Sequence, residues 1–162
     1  DCVQAWNSGK TVQIRCPQAT RPWQHVLEPL SGYLKLGLDL WENNLAQGET
    51  FNFGPKSEQN RSVLDLINDL SQVWGFKTAK EAYKINNILP FNEAGLLKLN
   101  CDKALFHLKW QPTLSYQETV KYVGDWYASY YKIAGSDMSL KTLDQISDYE
   151  QKAASQKLVW AK

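Results

Sequence analysis

The chain has 162 residues, 43% of them apolar, and a formal charge of +1 with acidic and basic side chains interspersed. That is enough for one domain with a real core, too apolar for disorder, and without the basic stripe that marks nucleic-acid binding. Three widely spaced cysteines, Cys2, Cys16 and Cys101, with no C-x-x-C pair, argue against a disulfide framework or zinc site and for a reducing, cytoplasmic setting. No stretch reaches the length of a membrane span, and no signal-peptide pattern appears. The chain opens on Asp1 inside a helical pattern, read here as a fragment boundary.

Val3 and Trp6, with Gly9 as a stop, predict a short first helix. "TVQIR" alternates as a strand does, and "CPQATRP" is a loop ended by proline. Over residues 25–44, Leu30, Leu34, Leu38 and Trp41 recur at helical spacing and predict a long amphipathic helix. "ETFNFGP" reads as a strand stopped at Gly54-Pro55. Val63, Ile67, Leu70 and Trp74 form the next apolar stripe, ended by Gly75. "KEAYKI" and "GLLKL" are candidate strands, and residues 102–108 a short helix before "WQP". Two more helices follow, one lined by Tyr116, Val120, Val123, Tyr127 and Tyr130, the other by Leu140, Leu143, Ile146 and Tyr149. The class is mixed α/β, with helices outnumbering short strands.

Catalytic equipment is sparse. No spacing among the nine glycines matches G-x-G-x-x-G, G-x-x-G-x-x-G or a phosphate-binding P-loop, and no tyrosine is followed four residues later by lysine. There is no G-x-S-x-G elbow and no H-E-x-x-H. His25 and His107 are the only histidines and lie far apart in sequence. The carboxylates are scattered over helix faces.

The three arginines are more informative, because Arg15 and Arg21 fall in one strand-loop unit just before a helix. A guanidinium matches phosphate oxygens with a planar fork and stacks on flat rings. A helix beginning near His25 adds amide donors and a positive dipole end. Arg21 can thus hold a phosphate while Arg15 covers a ring, with Pro17 and Pro22 stiffening the loop. The plainer alternative pairs Arg21 with Glu28, leaves Arg15 solvated, and makes Trp23 and His25 packing residues.

"RCPQATRPWQHVLEPLSGYLKL", then "FNFGP", "LLKLNCDKALFHLKWQP" and "WYASYYKIAGSDMSLKTLDQISDYE" resemble, in that order, segments of the CDP-glucose 4,6-dehydratases. These are nucleotide-sugar enzymes of the extended short-chain dehydrogenase/reductase family. The Arg-Pro-Trp run resembles this branch in particular, since related epimerases and dehydratases carry Arg-Asp there. The resemblance implies the C-terminal, substrate-binding portion of a Rossmann-type enzyme, as one domain over residues 1–162. Its glycine-rich NAD loop and Tyr/Lys catalytic set would lie in an N-terminal half absent from this sequence.

For the whole enzyme, the resemblance implies NAD as cofactor, CDP-glucose as substrate, a homodimer, and no nucleic-acid or membrane partner. The reaction would oxidise the sugar at C4, eliminate water across C5 and C6, and return the hydride to C6. For these residues it implies no catalytic group and no cofactor. Arg21 would contact the substrate diphosphate, Ile14 and Arg15 would lie against the base, and Asn92 and Glu93 would line the diphosphate side. Asn92 stands where the branch has histidine, and Lys109 where it has a glycine before "WQP". A left-handed helix cap at Lys109 would cost on the order of 1 kcal/mol. Two other readings stay open: a stand-alone nucleotide-sugar-binding or interaction module, and part of another extended-family epimerase or reductase.

Overall fold

Six helices and four very short strands are described by the computed structural model, over residues 1–42, 47–86 and 94–161. Helix α1 (Cys2–Asn7) turns the indole of Trp6 inward and stops where Gly9 takes a left-handed backbone at φ 66°. Strand β1 (Val12–Ile14) pairs in parallel with β4 (Tyr83–Ile85), Val12 opposite Tyr83. Strand β2 (Thr20–Arg21) pairs antiparallel with β3 (Arg61–Ser62), and Thr20 also bridges to Leu96. The loop expected at 16–22 therefore carries a strand, while "GLLKL" contributes one bridge and no ladder.

Helix α3 (Val63–Trp74) buries Ile67, Leu70 and Trp74 as its stripe predicts and ends at Gly75, φ 100°. Its start is a capping box: Ser62 Oγ accepts from the Asp65 amide, and the Asp65 carboxylate accepts from Ser62 N–H at 2.9 Å. Helix α5 (Tyr116–Lys132) has the same device in Ser115 and Glu118 and lies across α3. The short turn of α4 (Ala79–Ala82) brings the Ala82 carbonyl to Trp6 Nε1, 2.8 Å away. Val3, Trp6, Ile14, Ile67, Leu70, Trp74, Tyr116 and Val120 make the main core, and a smaller one joins Phe53, Ala104, Leu108 and Trp110.

Residues 104–108 wind as a π-helix, closed by Lys109 in the left-handed region (φ 53°, ψ 24°). Lysine bears there a steric cost that a glycine would avoid. Helix α6 (Met138–Ser155) packs on α5 and buries Tyr149 against Leu114 and Tyr122, while Leu140 and Leu143 stay exposed.

Two expectations are corrected. Helix α2 spans Leu27–Trp41, and the residues it buries are Glu28, Ser31, Gly32 and Asp39, with Leu27 and Leu36 half-buried against the smaller cores. Its apolar stripe faces outward, with Leu34 77% and Trp41 85% exposed. Glu28 can turn inward because the backbone amides of Thr113 and Leu114 and the Tyr149 hydroxyl wait there as donors. Gly32 lets Phe53 lie directly on the helix, since a Cβ at that position would sit 2.3 Å from its ring. The second correction is "ETFNFGP", which forms no strand: residues 49–56 pair with no other strand.

Candidate functional site

The β2–β3 pair sets Arg21 directly opposite Arg61. Directly opposed residues of an antiparallel pair share a face, which puts Arg21 and Arg61 on the same side of the ladder. Arg21 is half-buried, and its Nη1 donates to the Thr20 carbonyl (2.8 Å) and the Ala94 carbonyl (3.0 Å). Those two bonds fix the plane of the guanidinium against the 94–97 segment. Arg61 donates to the Asn60 carbonyl at 3.0 Å, and its guanidinium carbon lies 5.3 Å from the centre of the Tyr116 ring. Trp23 locks the pair from behind, its indole N–H donating to the Arg61 carbonyl at 3.0 Å.

The expected base contacts separate. Ile14 is 3% exposed and packs in the main core, whereas Arg15, one residue on, is exposed at the end of β1. A base at this edge would meet Arg15 and not the Ile14 side chain. Asn92 and Glu93 lie outside the described residues. Glu28 does not take the role of an Arg21 partner: it is 1% exposed, with its oxygens on Thr113, Leu114 and Tyr149. Burial pushes its carboxyl above the ordinary value, with the two backbone amides and the tyrosine opposing that rise. His25 is buried edge-on to Tyr122 with Nδ1 accepting the Leu27 amide, and burial lowers its pKa. It is a packing residue at a helix start.

Pro22 leads from the arginine pair into a small cleft shared with Lys56, Ser57, Asn60 and Lys98. Lys56, Ser57 and Lys98 also line an adjoining cavity of about 660 Å³ between the 54–58 turn and the 98–102 segment. Its floor is Trp110, whose indole donates to Ser31 at 3.0 Å and so hangs on the same network as Glu28. Lys56 and Lys98 bring positive charge beside the arginine pair, while Glu58 and Asp102 on the larger cavity's wall offset part of it. The two lysines escaped the sequence reading because they are scattered in sequence; the pairing of β2 with β3 brings Lys56 toward Arg21, and the Thr20–Leu96 bridge brings Lys98. A second cavity, about 450 Å³ and largely apolar, lies between the start of α2 and helices α5 and α6, with His25 and Trp126 on its walls.

No family profile matches the chain. It is 34% identical over 149 residues to the CDP-glucose 4,6-dehydratase of Salmonella typhimurium, an alignment covering 92% of this chain and 40% of that protein. Among solved structures it resembles dTDP-glucose 4,6-dehydratase from Bacillus anthracis in complex with NAD, with a TM-score of 0.63 and 18% identity over 79% of this chain and 37% of that one. The PbgP3 protein from Burkholderia pseudomallei aligns with a TM-score of 0.54 and 18% identity, over 74% of this chain and 35% of that one. The expected resemblance and the mixed α/β class are both borne out. The chain spans about two fifths of the curated relative it matches.

Proposed function

We propose that these residues form the nucleotide-sugar-binding part of an NAD-dependent CDP-glucose 4,6-dehydratase, a lyase making CDP-4-keto-6-deoxyglucose for deoxysugar and surface-polysaccharide synthesis. The observation that carries this reading is the 34% identity to a CDP-glucose 4,6-dehydratase sustained over 92% of the chain. The opposed arginines supply the physical support. A diphosphate brings negative charge to the face that Arg21 and Arg61 share, and a planar fork holds phosphate oxygens in pairs. Arg21 grips the diphosphate, its plane set beforehand by the Thr20 and Ala94 carbonyls. Arg15 covers the base where the chain leaves the buried Ile14, and we assign Asn92 and Glu93 to the diphosphate side. Lys56 and Lys98 draw the charged ligand in.

The residues of this chain do not fit NAD. The glycines are spent on helix stops, at Gly9 and Gly75, and on close helix contacts, Gly32 against Phe53 and Gly124 against Val73. None of the nine glycines stands in a G-x-G-x-x-G spacing, and Gly135, two residues before the α6 N-cap, is alone in its loop. No step of hydride transfer is assigned to these residues, and the 162-residue chain by itself is expected to show no dehydratase turnover. The whole enzyme is proposed to act in the cytoplasm as a homodimer.

Calorimetry against CDP, UDP and dTDP tests the reading. Selective binding of CDP, weakened at least tenfold by Arg21→Ala, is the expected result. Equal affinity for all three, or none for CDP, would favour a binding module that merely shares the scaffold.

A further inference from the structure

We propose that the cavity between the start of α2 and helices α5 and α6 binds a small, flat, uncharged aromatic molecule, held by a hydrogen bond from His25 Nε2 to an acceptor on its edge. The cavity shares no residue with the arginine pair, so nucleotide calorimetry can fail while this assignment holds.

The walls are the first observation. The space measures about 450 Å³, a size that suits small ligands, and Val26, Val123, Trp126, Tyr127 and Ile146 give it a largely apolar lining. Among the described residues, none that lines it carries a charge. A phosphate, carboxylate or ammonium entering it would give up its water and meet no counter-charge, which disfavours charged ligands. The aromatic side is held by its neighbours: Trp126 Nε1 donates to Thr142 Oγ1 at 3.0 Å, and its ring stacks on Tyr130, 5.6 Å away and tilted by 11°. Flat walls fixed in this way favour a flat guest.

The second observation is a buried donor with no partner. His25 is 8% exposed, and packing engages one of its nitrogens: Nδ1 accepts the Leu27 amide at 3.3 Å while the ring meets Tyr122 edge-on. Burial lowers its pKa, so the imidazole is neutral at pH 7, and with Nδ1 accepting, its proton sits on Nε2. On the cavity wall, that N–H has no hydrogen-bond partner among the described residues. A donor so sheltered gains most from an acceptor that a ligand delivers. Gln145 adds the opposite half. Its Nε2 donates to the Tyr122 carbonyl at 2.8 Å, which leaves Oε1 as an acceptor with no partner among the described residues. A hydrocarbon would fill the space and serve neither group; a ring bearing a carbonyl meets the His25 donor, and an N–H beside it suits Gln145.

Three probes test this by NMR on the isotope-labelled chain. Oxindole has a carbonyl and an N–H on a flat bicycle, indole lacks the carbonyl, and indole-2-carboxylate adds a negative charge. Oxindole should shift the Trp126 indole N–H and the Gln145 side-chain amide, and bind at least tenfold more tightly than either of the others. His25→Asn, whose Oδ1 can take over the Leu27 amide while nothing reaches the Nε2 position, should keep the circular dichroism and weaken oxindole at least tenfold. Ile146→Trp, which fills the cavity, should abolish the shifts. The comparison of the three probes needs no variant, so a variant that fails to fold leaves it intact. Equal binding of indole, preference for the anion, no shift at Trp126 with millimolar oxindole, or undiminished binding by a folded His25→Asn chain would each overturn the proposal.

Discussion

Removing the buried carboxylate of Glu28 should be among the costliest single changes in this chain. Its oxygens accept from the amides of Thr113 (3.0 and 3.1 Å) and Leu114 (2.7 Å) and from the Tyr149 hydroxyl (2.9 Å). Glu28→Ala strands both amides in the interior, at about 1–3 kcal/mol each, while Tyr149 keeps Ser31 at 3.0 Å as an alternative partner. Allowing for water entering the space, the expected loss is about 3–4 kcal/mol, a large part of the roughly 5–15 kcal/mol that holds a domain together. Glu28→Gln keeps one acceptor oxygen and the volume, and weakens charge-assisted bonds to neutral ones, for about 1–2 kcal/mol.

Urea unfolding followed by tryptophan fluorescence, with unchanged m, measures both variants. Equal losses for the two, or less than about 1 kcal/mol for Glu28→Ala, would refute the assignment of these hydrogen bonds as the tie between α2, the 110–115 loop and α6. The pH dependence adds a sign. Because burial raises the folded pKa, the native state holds the proton more tightly than the unfolded chain does. Relative to Glu28→Gln, the native protein therefore loses stability as pH rises from the ordinary carboxylate range through that raised value, and levels off above it.

Lys109→Gly should stabilise by about 0.5–1 kcal/mol, because relief of the left-handed strain outweighs two exposed contacts of the lysine ammonium, to the Phe106 carbonyl at 2.7 Å and to its ring. Lys109→Ala keeps the strain and loses the contacts, so it should destabilise slightly; a less stable glycine variant by thermal melting would contradict the account. Asp65 titrates below the usual carboxylate range because the Ser62 amide, then its hydroxyl, donate to it. Its folded pKa is depressed, so its contribution is full above the unfolded carboxylate range and disappears as pH falls through the folded value. The stability gap to Asp65→Asn, about 0.5–1 kcal/mol near neutral pH, should close as pH falls through that depressed value, and a gap that persists once the carboxyl is protonated would remove the carboxylate from the cap.

Much of the architecture could be read from local signals. The stop glycines Gly9 and Gly75 and the α3 stripe depend on residues within a turn or two of each other, whereas the left-handed cap at Lys109 was expected from the resemblance. The candidate site was legible only in outline: Arg21 stood out by its neighbours in sequence, but its partner across the strand, Arg61, is forty residues away and announces nothing locally. Lys56 and Lys98 are hidden for the same reason.

Periodicity identifies a helix and its two faces without saying which face turns inward. In α3 the apolar face is the buried one; in α2 it is the exposed one, because the inner side offers Glu28 a set of stranded amides and offers Phe53 a glycine to rest on. The alternation of "TFNF" likewise specifies a strand's pattern but not its ladder, since a strand exists only where a neighbour supplies the other half of each hydrogen bond. Composition and spacing thus determined which segments wind, where they stop and which side chains could grip an anion. Which faces meet, which carboxylate goes inside and which edge stays open were decided in three dimensions, where buried polar groups find partners or go without.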